Sequence, residues 1–387
     1  MAPTVTALPR TVWALGLVSL CMDASSEIVH ALLPLFLTTT LGASALMLGL
    51  IDGIAEATAA LGRVAAGWLS DRSGRRKPLI LAGYGLGAAA KLLFPLASSA
   101  LLVLGARFVD RVGKGLRGAP RDALVADVTP VGLRGRAYGL RQALDTVGAF
   151  IGPLAAIGLM YAFANDMRSV LWCAVIPALL SVLVIVFGVR DAAVTQPAER
   201  RPLVRGRLRE LSAEFWWVVA IGVVFTLARF SEAFLILAAH ERGLPLALAP
   251  LVLVVMNVVY ACAAYPAGAL ADRRPAWQVL GLGLAVLVLA DVMLAIASGL
   301  IGTFAGIALW GLHLALTQGL LAKLVAEHAA TALRATAFGL FHLASAAALL
   351  AASVIAGALW DRHGADATFA VGAVFALAAF ALVVWRR

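Results

Sequence analysis

The sequence is short of charge. Of its 387 residues only 13% are Asp, Glu, Lys or Arg, while 62% are hydrophobic and the mean hydropathy is +0.95. A soluble domain of this length has no means of hiding so much apolar surface. Cysteine is scarce as well: Cys21, Cys173 and Cys262 all fall within apolar runs, and none forms a CxxC pair or a metal-ligand spacing, which argues against a disulfide framework. There is no GxxxxGK[ST] phosphate loop. The nearest approach, VGKGLRG around Lys114, lacks the earlier glycine and the Ser/Thr, so ATP is not the energy source. Neither HExxH nor GxSxG occurs. Intramembrane hydrolysis thus has no visible metal pair or nucleophile, and the chain reads as neither an enzyme nor the holder of a cofactor.

What the sequence has in abundance is apolar length. Runs of about 20 residues, each able to cross a ~30 Å hydrocarbon core as a helix, stand at 12–38, 46–69, 78–96, 98–118, 135–160, 168–190, 214–239, 247–270, 277–297, 300–325, 333–357 and 366–385. Twelve spans describe an all-α membrane protein without a separate soluble domain. The opening MAPTVTALPR is too short and too polar for a cleavable signal peptide, so the first span is expected to stay. Basic residues gather in alternate loops: Arg72, Arg75, Arg76 and Lys77, then Arg117, Arg121, Arg134 and Arg136, then Arg200, Arg201, Arg205, Arg207 and Arg209, then Arg273 and Arg274, and finally Arg386 and Arg387. By the positive-inside tendency both termini are cytoplasmic. The net charge of +10 is explained without a nucleic-acid partner.

One long polar segment, from Asp191 to Glu214, divides the spans six and six. The expected organisation is a first six-helix bundle over 1–190, a cytoplasmic linker over 191–213 and a second bundle over 214–387. The halves echo each other. GWLSDRSG (67–74) returns as GALADRRP (268–275), LVADVTPVGLRGRAYGL (124–140) returns as LVAEHAATALRATAFGL (324–340), and SSE (25–27) is matched more weakly by FSE (230–232), all at an offset of about 200 residues. The last match makes Glu27 and Glu232 pseudo-equivalent. A duplicated six-helix unit marks transporters whose halves rock about a site near the midplane.

GWLSDRSGRRK (67–77) lies between the second and third spans. Asp71 there can accept bonds from basic groups or a helix N-terminus, and the basic cluster can hold neighbouring helix ends. Here the chain resembles the major facilitator superfamily, whose loop G-x-L-x-D-x-x-G-R-[RK] is matched by Gly67, Leu69, Asp71, Gly74, Arg75 and Arg76, with Arg72 between. A degraded second copy keeps Asp272 and Arg273 but has Pro275 for the glycine. The resemblance, which covers the whole chain, implies that this loop is a cytoplasmic gate latch in which Asp71 steadies the outward-open state. The fourth-span pattern of proton-coupled members, R-x-x-Q-G-x-G, appears as RFVDRVG (107–113), keeping Arg107 but with Asp110 and Arg111 substituted. The fifth-span pattern linked to exporters appears half matched as GAFIGPLAAI (148–157), with Gly148, Gly152 and Pro153 in place. Small residues at such spacing also serve plain helix packing, as do the glycines of GYGLG (83–87).

Charges inside a bilayer are costly, ~2.5–3.5 kcal/mol at a helix centre, and usually pair or face water. In the first half the acids Asp23, Glu27, Asp52, Glu56, Asp110 and Asp145 stand against the bases Arg63, Lys91, Arg107, Arg111, Lys114 and Arg141. Arg107, Asp110, Arg111 and Lys114 fall at i, i+3, i+4 and i+7, on one helix face that must point inward. The matching face of the second half is uncharged: Ile307, Trp310, Gly311 and Leu314. Polar candidates there are Arg229, Glu232, Asn257, Tyr260, Asp291, Trp310, His313, Gln318 and His342. Within MDASSEIVH (22–30), Asp23, Glu27 and His30 form one polar stripe, and two close carboxylates resist joint ionisation.

The expectation is a proton-driven secondary transporter exporting a small solute by antiport, a monomer in the lipid bilayer of a bacterial cytoplasmic (inner) membrane. Its cavity is drawn from Asp23, Glu27, His30, Arg107, Asp110, Arg111, Arg141, Asp145, Arg229, Glu232, Asn257, His313 and His342, with Arg107 and Asp110 tuning the acids of the first span. Three other readings stand beside it: transport of a metal ion or metal chelate, with Asp23, Glu27 and His30 as ligands; proton-coupled uptake by symport; and a channel, which duplicated halves and a gate latch disfavour.

Overall fold

A computed structural model describes residues 7–73, 75–191, 211–317, 320–328 and 334–385, and among these the regular structure is helical. The helices are α1 (Arg10–Leu35), α2 (Ala45–Ser73), α3 (Lys77–Leu96), α4 (Ala100–Val128), α5 (Arg134–Ala162), α6 (Met167–Cys173), α7 (Val175–Gly188), α8 (Ala213–Ala228), α9 (Ala233–Glu241), α10 (Leu251–Arg273), α11 (Ala276–Ile296), α12 (Leu300–Thr317), α13 (Leu320–His328) and α14 (Arg334–Trp385). The linker expected at 191–213 falls outside the described residues except for its ends, as do Gly74 and Gln318.

Ten stretches of the described residues are long and apolar enough to cross a membrane. Two features reconcile this with twelve crossings. The last stretch, Ala337–Trp385, merges two helices across Gly364, whose φ of 80° is left-handed and ends the first of them. Helix α4 has the length, 29 residues, but carries the charged stripe and fails on composition alone. Internal polar satisfaction explains why everything is helical, since only a helix or a closed barrel pairs its own backbone groups inside lipid.

Besides a short break at Ala174 between α6 and α7, two spans are interrupted where polar side chains meet the backbone. Near Pro34, α1 passes into a π-helical turn, Phe36–Thr40, where Thr38 and Thr39 donate their hydroxyls to the carbonyls of Pro34 and Leu35 at 2.9 and 2.7 Å. The span expected at 214–239 is broken into α8 and α9 around Arg229, Phe230 and Ser231. Ser231 meets part of that exposed backbone need by accepting from the Ala233 N–H at 3.2 Å, and it donates its hydroxyl to Asp52 at 2.6 Å.

By contacts the described chain clusters into two units, Met1–Leu33 with Thr58–Arg200 and Pro34–Ala57 with Arg201–Arg387. The first is built around Val12, Leu15, Val18 and Met22 of α1, Ile80 and Tyr84 of α3, Leu124 and Val125 of α4 and Ile185 of α7, all buried. In the second, aromatic rings take over: Phe230 packs on Phe234, Trp310 and Phe369 with centroids 5.6, 5.7 and 5.5 Å apart.

Glycine sets how closely α1 and α5 approach. A Cβ at Gly148 would stand 3.0 Å from Leu20 Cα, and one at Gly152 would stand 2.6 Å from Glu27 Cβ and 2.7 Å from the Ala24 carbonyl oxygen. This is the small-residue packing that membrane helices use where no hydrophobic drive separates protein from lipid. Gly148→Val and Gly152→Val are each expected to destabilise the protein by ~1–3 kcal/mol, read as a lower unfolding temperature in detergent. Gly158→Ala on the same helix, with no atom within 4 Å of the new methyl, should leave that temperature unchanged.

Candidate functional site

The charged face of α4 is buried against α3. Lys91 Nζ donates to Asp110 Oδ1 at 2.9 Å, and neither side chain is more than 4% exposed. Arg111 Nε lies 3.9 Å from the other carboxylate oxygen, and Arg107 adds a third positive charge to the group. GYGLG makes the approach possible: a Cβ at Gly113 would fall 2.9 Å from the Gly87 nitrogen, so these glycines serve packing. Asp110 is thus engaged with Lys91, a residue that sequence reading had left without an assigned partner.

One turn further along α4 a second cluster gathers. Asp23 of α1 lies beside Asp145 of α5. Two neighbouring carboxyl groups bond to each other only when one proton is shared between them. Bases surround the pair. Arg121 Nη1 is 3.9 Å and Arg141 Nη1 3.7 Å from Asp145 Oδ1, while Lys114 and Arg117 act on Asp23 through space. Arg121 also donates to Ser19 Oγ at 3.0 Å and Tyr84 Oη at 3.2 Å, and Arg117 lays its guanidinium over the Tyr84 ring, 4.6 Å from the centroid. Arg141 reaches Asp122 as well, at 3.8 Å. Lys114, Arg117, Arg111 and His30 act on Asp23 and Glu27, and Arg107 and Arg111 act on the Lys91–Asp110 pair.

Glu27 and His30, one turn apart on α1, stand 3.6 Å from each other. Glu27 also feels Lys114 and Arg111. Asp23 turns to Asp145 instead, and among the described residues no group of three or more His, Cys, Asp or Glu side chains is placed to hold a metal ion. The set Asp23, Glu27 and His30 is therefore not brought together as a ligand triad.

In the second unit the candidates are dispersed. Arg229 and Glu232 flank the break between α8 and α9, with Glu56 and Tyr260 near Arg229. Asn257 is half-buried on α10. His313 is fully buried, edge-on to Phe225 at 5.9 Å and Trp310 at 5.8 Å, while His342 stacks on Phe338 at 6.2 Å. Asp291, fully buried on α11, has no hydrogen-bond partner for either carboxylate oxygen among the described residues.

The segment expected as a loop from Gly67 continues α2 as far as Ser73, and Gly67 makes an ordinary contact with Ala119, 3.6 Å from where its Cβ would be. Asp71 and Arg72 close the helical backbone, and their side chains lie outside the described residues. Arg75 is exposed, and Arg76 donates to Ser70 Oγ at 2.7 Å and to Asp127 at 3.3 Å, with its backbone N–H on Asp191 at 3.2 Å. Arg76 therefore ties together the ends of α2 and α4 and the segment just after α7. Asp272 and Arg273 are exposed at the end of α10.

A multi-pass helical bundle with buried, mutually compensated charge on one half is the make-up of a membrane transporter. The Major Facilitator Superfamily profile matches residues 15–352 and 234–387, and the chain belongs to that family. It is 31% identical over 377 residues to an MFS-type transporter of Methanocaldococcus jannaschii, covering 96% of this chain and 93% of that one. Over 183 residues it is 31% identical to the multidrug resistance protein MdtH of Edwardsiella ictaluri, 47% of this chain and 43% of that protein. The crystal structure of a mutant of the nucleoside transporter NupG superposes with a TM-score of 0.82 at 11% identity, over 97% of this chain and 100% of that one. At that identity the likeness is one of fold. The protein is a transporter with a small-molecule or ion substrate and is not an enzyme.

Removing one partner of a buried ion pair leaves the other charge uncompensated, at a cost of ~3–5 kcal/mol, whereas replacing both by apolar groups is often neutral. Asp110→Asn is expected to cut the yield of monodisperse protein in size-exclusion chromatography sharply. The double variant Lys91→Met with Asp110→Leu should recover part of it, since Arg107 and Arg111 keep their charge beside the apolar pair.

Proposed function

We propose that the chain is a proton-coupled antiporter that exports a small organic solute across a bacterial cytoplasmic membrane, as a monomer with both termini in the cytoplasm. The observation that carries this reading is the Asp23–Asp145 carboxyl pair with Lys114, Arg117, Arg121 and Arg141 around it. Such a pair has two charge states that the neighbouring bases distinguish. Without the proton both carboxylates are charged and available to the hydrogen-bond donors or positive charge of a solute. With the shared proton that negative charge is cancelled, the two carboxyl groups bond to each other, and the solute is released.

Proton and solute then exclude one another through charge, which is the thermodynamic content of antiport. Glu27 with His30, and Arg111 on the adjacent face of α4, extend the polar surface that the solute meets. The second unit, where Phe230 and Trp310 lead a set of buried rings, holds no comparable cluster of charge among its described residues. Proton handling therefore falls to the first of the expected bundles, over 1–190, which the linker over 191–213 joins to the second, over 214–387. Export is supported by Gly148, Gly152 and Pro153 in α5 and by the partial likeness to MdtH.

The test is a panel of drugs, metabolites and metal salts, screened for altered accumulation in cells with and without the gene and repeated with a proton uncoupler. The solute that responds is then measured in Asp23→Asn and Asp145→Asn. Each variant is expected to lose uncoupler-sensitive extrusion by about tenfold or more, equivalent to ~1.4 kcal/mol in the coupling step. Intact proton-coupled flux in both would rule the mechanism out.

A further inference from the structure

The segment Pro34–Ala57, which joins the first two spans, clusters with Arg201–Arg387. It is seated deeply: Leu35, Phe36, Leu37, Leu48 and Ile51 are fully buried. The first half of α2 meets α14 along a line of small residues. A Cβ at Gly53 would stand 3.0 Å from Leu350 Cα, one at Gly49 would stand 2.8 Å from the Ser353 carbonyl carbon, and one at Gly357 would stand 2.6 Å from Leu46 Cα. At Gly49 and Gly357 the nearest atoms are backbone, and at Gly53 the Leu350 side chain lies over the glycine.

At the end of this line Asp361 reaches across to the start of α2. Its Oδ1 accepts from the Ala45 N–H at 2.8 Å and its Oδ2 from the Leu46 N–H at 3.0 Å. A helix start leaves its first backbone N–H groups without partners inside the helix. In α2 they are shared out: Ser44 Oγ takes Met47 at 3.2 Å in the ordinary way, while the first two are met by a carboxylate 315 and 316 residues away in the chain. The full charge of Asp361 also faces the positive end of the α2 dipole.

We propose that Asp361 is a latch, a positioning residue that holds the α1–α2 tip on the Arg201–Arg387 segment and sets how readily the tip comes free. The same continuous helix passes from one cluster to the other between Ala57 and Thr58. Any motion between clusters that share a helix requires that helix to bend or its first half to detach. The glycine line gives close contact in which only Leu350 reaches over a glycine, so detachment costs packing and hydrogen bonds. Asp361 supplies two of the charge-assisted hydrogen bonds at the tip itself, and the Ser231–Asp52 bond ties the segment further along α2. The latch is independent of the coupling ion and of the solute.

Hydrogen–deuterium exchange of the full-length protein in lipid nanodiscs tests it. Loss of an N-capping carboxylate costs ~1 kcal/mol, so Asp361→Ala is expected to raise amide exchange by about fivefold in peptides covering 45–57. The same rise is expected in peptides covering 346–356, the facing stretch of α14, and none in α11 at 276–296. Ala45→Pro provides the second variant, since proline is well tolerated at the first position of a helix and removes one of the two donors. It should give the same pattern with a smaller rise. A merely local cap would speed residues 45–47 alone. That result overturns the proposal, as does no change in either segment or an equal rise at 276–296 in both variants.

Discussion

The contact between Lys91 and Asp110 governs the first half of this protein. A lone charge inside a bilayer is a cost that has to be met on the spot, and at 2.9 Å, shielded from solvent, the two side chains meet it for each other. That requirement fixes α3 against α4 and calls for backbone contact at Gly87 and Gly113, because the pair closes only if the helices nearly touch. It also fixes the rotation of α4. With Asp110 turned to α3, the stripe of Arg111, Lys114 and Arg117 is carried round to the acids of α1 and α5.

The same logic explains why the two clusters differ in kind. Around Lys91 the charges are closed in, and their role is to hold two helices. Around Asp23 and Asp145 the bases are shared among several acids, Asp122 and Asp145 are partly exposed, and Arg121 and Arg141 each reach more than one partner. A set of ion pairs with alternatives can be redistributed by one proton or one solute. The sequestered Asp110, ringed by Lys91, Arg111 and Arg107 and shut off from other acids, cannot. In the second unit the charges are scattered, as at Arg229 with Glu56 and Glu232, and Phe230, Trp310, Phe369 and His313 pack together between them.

Several features were readable from residues alone. The stripe at Arg107, Asp110, Arg111 and Lys114 follows from helical periodicity, and its inward orientation follows from the cost of showing four charges to lipid. The use of GYGLG for packing and the membership of the family also came from local pattern. Partners did not. Lys91 and Asp110 are on neighbouring helices, but Asp145 is far from Asp23 in the chain, and many pairings of six acids with six bases would satisfy the same count. The break at Arg229 to Ser231 was hidden within a run apolar enough to read as one span. The assignment of Pro34–Ala57 to the second cluster has no signature in hydropathy, since both sides of Ala57 are equally apolar.

By itself, then, the sequence determined that the chain is a duplicated bundle of membrane helices with its charge concentrated in one half. Hydropathy, period and charge asymmetry are properties of neighbouring residues, and the bilayer acts on them residue by residue. Only the tertiary structure decided which acid stands beside which base, where a glycine lets two backbones touch, and that Asp361 completes a helix begun at Ala45. Those choices depend on distances of about 3 to 4 Å between segments remote in the chain. Many arrangements bury the same residues, and side-chain reach selects among them.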